Sequence, residues 1–286
     1  MRGHLVDGTF ELFRCFHGAP RAIGPAGTEV GAARGFLATM TALLNDRDVT
    51  HVAVAFDSVV APPTSGGKLG SAEALIGAQA PLAAAAVRAL GVPVWPAGRY
   101  QADELISTAA HRFAGDAAVE QVVICATDND FTQCVRGERV VLLDRIRKRV
   151  TDAAGVFERF GVEPEQIPDL FALTGDRSDG FPGVPGWGRT SAAAVLSRYR
   201  RLEDIPLDPV AWDVPVRGAA RLSASLRHHW DEALLCRDLS ILRVDLPIRQ
   251  TVADLEWHGA SRQAIDALVA RLGDATAVGW IPRWVS

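Results

Sequence analysis

Aspartates that follow short apolar runs are the first residues in this chain with chemistry to offer. Asp7 closes the run His4–Val6, Asp57 follows His51–Phe56, and Asp128 and Asp130 come just after Val122–Ala126. If those runs are parallel strands, their carboxyl ends bring the acids to the one edge of an open α/β sheet where ligands gather. Carboxylates collected there repel one another unless cations sit among them. Oxygen donors without His or Cys suit Mg²⁺ or Mn²⁺ better than zinc. Each aspartate alone is also an ordinary turn or helix-capping residue, but three acid-tipped strand ends exceed what capping needs. Asp103 and Glu104, which open a helical pattern, could equally be macrodipole partners. Asp176 and Asp179, in Leu-Thr-Gly-Asp-Arg-Ser-Asp-Gly, stand three apart. They are close enough to share one ion, or to form an Asx turn followed by a helix cap.

A second feature follows at once. Gly183, Gly186 and Gly188 punctuate Pro182–Thr190, directly before a helical stretch. Glycines let backbone approach a ligand closely, and a helix N-terminus favours anions. The spacing G-x-x-G-x-G, with no strand before it, is not a dinucleotide fingerprint. It reads as a hairpin between helices whose amides grip a DNA phosphate, with Arg189, Thr190 and Arg198 adding contacts and Arg200 and Arg201 close by. A plain helix cap and turn is the other reading.

The elements that must position these residues can be read coarsely. Strand-like runs at His4–Val6, His51–Phe56, Val122–Ala126 and Val140–Leu143 alternate with helical patterns at Ala32–Leu44, Leu82–Leu90, Ala102–Phe113 and Phe131–Val135. This alternation predicts a parallel α/β sheet. From 58 to 81 the pattern dissolves into Pro, Gly, Ser and Ala, as in a functional loop. Beyond Ala153 the reading turns helical, at Ala154–Phe160, Pro168–Leu173, Thr190–Tyr199 and one long stretch, Leu222–Leu242. The expectation is an α/β core over 1–165 followed by a helical module over 166–286 whose C-terminal part returns to the core.

Composition narrows the class. The 286 residues carry 30 Lys+Arg against 34 Asp+Glu, a net charge of −4, and 48% are hydrophobic. That suits a soluble globular protein and, taken alone, argues against nucleic acid. The stretch Met1–Gly8 reads as a strand rather than a signal segment, and no apolar run is long enough to span a membrane. Cys15, Cys125, Cys134 and Cys236 lie far apart without a CxxC, so neither zinc nor a disulfide framework is signalled. A reduced, cytoplasmic setting is expected. Lys68 and Lys148 are the only lysines, so nearly all positive charge is arginine, the better bidentate phosphate binder.

In order, the motifs resemble those of the bacterial 5′-3′ exonuclease and flap endonuclease family. The matching blocks are Leu-Val-Asp-Gly at 5–8 with Arg14 and Phe16-His17, Ala-Phe-Asp at 55–57, and Tyr-Gln-Ala-Asp-Glu at 100–104. Ala-Thr-Asp-Asn-Asp-Phe at 126–131, Thr-Gly-Asp-Arg-Ser-Asp at 174–179 and Pro-Gly-Val-Pro-Gly-Trp-Gly-Arg-Thr at 182–190 follow, then Leu-Cys-Arg-Asp-Leu-Ser-Ile-Leu at 235–242. The resemblance implies a PIN-like parallel-sheet nuclease core followed by a helix-hairpin-helix (H3TH) DNA-binding module. It implies that Asp7, Asp57, Asp103, Glu104, Asp128 and Asp130 serve one set of Mg²⁺ or Mn²⁺ ions and Asp176 and Asp179 a further one, in two-metal hydrolysis. Asp128 and Asp130 would be catalytic through that metal, Arg14 would lie near the substrate phosphate, and a K⁺ ion would sit at the glycine hairpin. The implied substrates are DNA with 5′ flaps, nicks or free 5′ ends. A monomer is expected, and since no polymerase follows within the chain, a separate polymerase and ligase are the expected partners.

Two departures stand out. The family pattern at 101–104 is Glu-Ala-Asp-Asp, and here Gln101 removes one negative charge. In 58–81, where relatives build a basic and aromatic arch, Lys68 aligns with the family's catalytic lysine, but Gly67 replaces an aromatic and Ser71 an arginine. A reduced arch or lid is expected there. Asp7-Gly8-Thr9 also looks like the end of a haloacid-dehalogenase phosphatase motif, but Leu5 stands where that nucleophile belongs. An RNA-cutting PIN nuclease would lack the helical module. The remaining alternative is a structure-specific DNA-binding protein with weak or no cleavage. Setting aside the eight assigned acids leaves 30 bases against 26 acids, so the acidic balance does not exclude DNA.

Overall fold

The computed structural model describes residues 1–57, 72–95, 98, 100–176 and 180–285. Its main sheet comprises β1 (Arg2–Asp7), β2 (His51–Ala55), β3 (Val94–Trp95), β4 (Gln121–Cys125), β5 (Val140–Asp144) and β6 (Arg149–Thr151), in the order β3-β2-β1-β4-β5-β6. Strand β1 runs parallel to both β2 and β4, and β2 runs parallel to β3. The helices are α1 (Gly8–Gly18), α2 (Gly31–Leu44), α3 (Ala72–Ala89), α4 (Ala102–Ala114), α5 (Ala153–Phe160), α6 (Ile167–Thr174), α7 (Arg189–Tyr199), α8 (Ala219–His228), α9 (Trp230–Ser240) and α10 (Arg262–Leu272). A short parallel pair, β7 (Ala260–Ser261) and β8 (Trp284–Val285), completes the described elements.

The chain forms two compact units, neither of them continuous in sequence. One comprises Met1–Ala126, Leu143–Arg147 and Arg243–Ser286; the other comprises Thr127–Leu142 and Lys148–Leu242. In the first, β1, β2 and β4 are buried on both faces, which is why they read as near-continuous apolar runs. Leu5, Val6, Val52, Val54 and Ile124 are fully buried, with Phe36 and Met40 of α2 and Ile106 of α4. In the second, α6 lies at the centre and packs on α7 and α9.

Several elements differ from the sequence reading. Residues 72–81, expected within a loop or arch, belong to helix α3, which carries Pro81 inside it. The alanines around that proline have the highest helix propensity of any residue and outweigh the missing N–H. The remainder of the expected arch, 58–71 with Lys68, lies outside the described residues. The single helix expected over Leu222–Leu242 is two, broken at His229, whose backbone leaves helical geometry (φ −108°, ψ 26°). Helices α1 and α10 have no counterpart in the sequence reading.

Two buried ionisable groups set the stability of the first unit. Glu11 on α1 is 3% exposed and lies between two arginines. Arg14, three residues on, pairs with its Oε2, while Arg145 Nη1 lies 3.3 Å from its Oε1. Arg145 is anchored further by a 2.7 Å bond from Nη2 to the Thr39 carbonyl. Arg145 is therefore largely buried, with a side chain 12% exposed. His4 on β1 is the second group, 5% exposed, with no hydrogen-bond partner for Nδ1. Burial holds its pKa down to about 4, against the opposing influence of Asp46. At the end of β4, burial pushes the Cys125 thiol up to about 12, so it packs as an inert hydrophobe.

Glu11→Ala leaves two partly buried cations without their shared partner and is expected to cost about 3 kcal/mol in urea unfolding. The double change Glu11→Leu with Arg145→Met should cost less; equal or greater loss would show that the pair's charge is not the issue. For His4 the folded pKa lies below the unfolded one, so the unfolded chain takes up the proton first as pH falls. Stability should therefore be intact above about pH 6.5 and decline by roughly 3 kcal/mol as pH drops to about 4. Thermal melts of His4→Leu should be flatter than wild type over that window, and a parallel curve would refute the assignment.

Candidate metal and nucleic-acid site

The carboxylates of the first unit are tied together by backbone hydrogen bonds at the sheet edge. Asp7, the last residue of β1, pairs in register with Ala55, so Asp57 lies just past the end of the neighbouring strand. Asp7 Oδ1 caps α1 by accepting from the Phe10 amide at 2.9 Å. The next residue must be glycine: a Cβ on Gly8 would meet Phe56, Val54 and the Ala55 carbonyl within 2.7–2.8 Å. That close approach lets Thr9 Oγ1 accept from the Asp57 amide at 2.8 Å. Asp57 Oδ1 in turn accepts from the Ala102 amide at 2.7 Å, fixing the start of α4. Asp103 Oδ1 accepts from the Glu104 amide at 2.6 Å, and Glu104 Oε2 accepts from the Gln101 amide at 3.0 Å. Glu104 thus closes a capping box with Gln101 at the start of α4.

The second unit holds the other carboxylates. Asp128 Oδ1 accepts from the Asp130 amide at 3.1 Å, an Asx turn that leads into a 3-10 turn over Asp130–Cys134. Asp176 is buried and follows Gly175, which ends α6 with a left-handed φ of +76°. Its backbone pairs with that of Phe181. Asp179 itself lies outside the described residues, as does Lys68. Asp57 and Asp128 each have no ion pair among the described residues.

As a donor set, these residues are all carboxylate oxygens, the chemistry that hard divalent cations take. Among the described residues, no three His, Cys, Asp or Glu side chains lie close enough together to hold a metal ion. Arg14, expected near a substrate phosphate, spends its charge on Glu11 and is a quarter exposed on its side chain (23%). Sequence reasoning missed that pairing because nothing in a single sequence marks Glu11 as buried.

The glycine hairpin divides into anchored and open positions. Val184 and Trp187 are buried, and the Trp187 indole donates to the Leu222 carbonyl at 3.1 Å. Gly183, with φ +69°, packs directly on the end of α6: a Cβ there would lie 2.3 Å from the Gly175 nitrogen. Its glycine is explained by packing rather than by ligand approach. Gly186 (φ +88°) and Gly188, the cap of α7, have open space where a Cβ would stand. Arg189 and Thr190 are exposed on the first turn of α7. Arg198 is also exposed, but its guanidinium pairs with Asp213, donating from Nε at 2.7 Å, and Asp213 accepts from the Tyr199 hydroxyl at 2.9 Å as well. Among the described residues, no helix is long and apolar enough to cross a membrane.

Comparison with known proteins gives this arrangement its context. Residues 2–161 match the family model of the 5′-3′ exonuclease N-terminal resolvase-like domain, and residues 162–263 match that of the 5′-3′ exonuclease C-terminal SAM fold. DNA polymerase I of Bacillus caldotenax is 31% identical over 281 residues, which cover 94% of this chain and 31% of that protein. DNA polymerase I of Pseudomonas aeruginosa is 32% identical over 284 residues, covering 94% of this chain and 30% of that protein. The chain thus spans about a third of the length of these curated relatives. Among solved structures, the T5 5′-exonuclease with divalent zinc ions bound superposes with a TM-score of 0.68 at 16% identity, covering 98% of this chain and 97% of that one. The catalytic core of Rad2 in complex with a DNA substrate follows at 0.62 and 12%, covering 98% and 90%. At those identities the structural likeness speaks to fold, an α/β sheet domain joined to a helical one. With both family models matched in succession across most of its length, the chain belongs to the 5′-3′ exonuclease family.

Proposed function

We propose that the chain is a divalent-metal-dependent, structure-specific 5′ nuclease. In this reading it acts as 5′-3′ exonuclease and flap endonuclease, hydrolysing DNA phosphodiester bonds to leave a 5′-phosphate and a 3′-hydroxyl during replication or repair. The observation that carries the proposal is the bonded chain Thr9–Asp57–Ala102 at the carboxyl edge of β1 and β2, which holds acid side chains where open sheets present them to ligands. Asp7, Asp57 and Asp103 of the first unit and Asp128, Asp130, Asp176 and Asp179 of the second are the proposed metal ligands, with Glu104 beside them. A bound pair of Mg²⁺ or Mn²⁺ ions supplies an activated water and charge stabilisation at the scissile phosphate. The chain's own share is to fix Asp7, Asp57, Asp103 and Asp128 through amide hydrogen bonds and to let the duplex backbone approach closely at Gly186 and Gly188, where a Cβ would stand in open space. Lys68 and Arg14 are proposed to assist at the reacting phosphate, and K⁺ to sit at the hairpin. Action as a cytoplasmic monomer alongside a DNA polymerase and a ligase completes the reading.

Labelled flap, nicked-duplex and RNA substrates, each with Mg²⁺ or Mn²⁺, test it directly. Cleavage of the flap or nicked duplex is expected. Tight flap binding without cleavage of any substrate would instead favour a structure-specific DNA-binding protein. Asp128→Asn should lower cutting by at least about 100-fold while leaving flap affinity near wild type. Gln101→Glu adds a carboxylate beside the proposed ligands and should lower the Mg²⁺ concentration for half-maximal cleavage. An unmoved Mg²⁺ optimum would count against a charge role for this position.

A further inference from the structure

The arginines of the second unit fall into two groups. Arg198 is neutralised by Asp213, and Arg237 lies among Glu203, Asp238 and Asp169. Arg149 on β6, Arg159 in the last turn of α5 and Arg189 at the start of α7 have no ion pair among the described residues, although all three are exposed. Arg159 and Arg189 nevertheless lie together. The guanidinium carbons of Arg159 and Arg189 sit 4.8 Å and 5.3 Å from the centroid of one ring, Phe160, which is 2% exposed. Burial, then the charges of Arg149 and Arg189, hold the Arg159 pKa below its ordinary value. One contact fixes the direction of Arg159: its Nη2 donates to Asn129 Oδ1 at 2.7 Å, between Asp128 and Asp130.

Guanidinium groups gathered on one aromatic ring without a counter-charge repel one another until an anion joins them. Their planar donor forks match phosphate oxygens, and the ring preorganises two of them by cation–π contact. The cluster also adjoins the hairpin in sequence, since Arg189 follows the open Gly188 directly. We propose that Arg159 and Arg189 form a single phosphate-binding site that takes a backbone phosphate of the DNA held by the glycine hairpin, with Asn129 fixing the orientation of Arg159. This inference rests on the nuclease reading for the identity of its ligand. It adds Arg159, which no motif marks, and joins residues from two separate elements into one contact.

The test is anisotropy of a labelled 5′-flapped duplex, with Ca²⁺ in place of Mg²⁺, titrated over about 50 to 200 mM salt. Arg159→Ala should weaken binding about tenfold near 0.1 M salt and reduce the slope of log affinity against log salt by about 0.9, one phosphate contact. Arg159→Lys should keep the wild-type slope, and the exposed, distant-in-sequence Arg217→Ala should change neither quantity. Circular dichroism melts of the Arg159 variants separate lost contact from lost fold. Wild-type affinity and slope in Arg159→Ala would overturn the site while leaving the nuclease reading intact. A slope for Arg159→Lys as low as that of Arg159→Ala would overturn its charge basis. No flap binding by the wild type would overturn both readings at once.

Discussion

The absence of a side chain at Gly8 is the constraint from which the acidic edge of the first unit follows. With a Cβ there, helix α1 could not begin against β2, since Phe56, Val54 and the Ala55 carbonyl already occupy that space. Because α1 begins there, Asp7 serves as its cap and Thr9 reaches the Asp57 amide. Asp57 then captures the start of α4, and with it Asp103. Three carboxylates from well-separated parts of the chain are fixed by a relay of hydrogen bonds to main-chain amides. None of these bonds needs a long, mobile side chain, so little conformational entropy opposes them.

Charge is distributed in the same deliberate way. Arginines whose sequence neighbours look alike have unlike roles: Arg145 is buried on Glu11, while Arg147 pairs with Asp144 at the surface. Arg149, two residues further, has neither kind of partner among the described residues. A run of basic residues is thus not one patch but three environments, set by which way a turn faces. That turn needs Lys148 in a left-handed conformation, φ +51°, so successive side chains leave it in different directions.

Much of the fold was legible because strand burial writes itself into sequence. The runs at His51–Ala55 and Gln121–Cys125 are recognisable as apolar stretches ended by acids. Two-residue strands such as Val94–Trp95 carry no such pattern, and their existence depends on the partner strand. The 72–81 segment was misread because Gly77 and Pro81 look like loop residues, whereas the alanines between and after them decide the local structure. His229 breaks a helix without any Gly or Pro to announce it. At the site, the acids were legible as types at strand ends. The roles of Glu104 as a cap, Gly183 as a packing contact and Arg198 as the partner of Asp213 were not, because each depends on a residue or backbone atom the spacing does not name.

The return of residues 243–286 to the first unit bears on the order in which the protein can be made. Arg34 donates to the Leu272 carbonyl, and the Trp257 indole to that of Leu90, so the earliest helices are closed by the latest residues. During synthesis the N-terminal sheet must wait, incompletely covered, while the whole second unit emerges. That second unit is nearly continuous, from Lys148 to Leu242, and can reach its own core sooner. A cut placed between the two family-model regions would separate neither unit cleanly, and would leave the first with the open flank of an unfinished nascent chain.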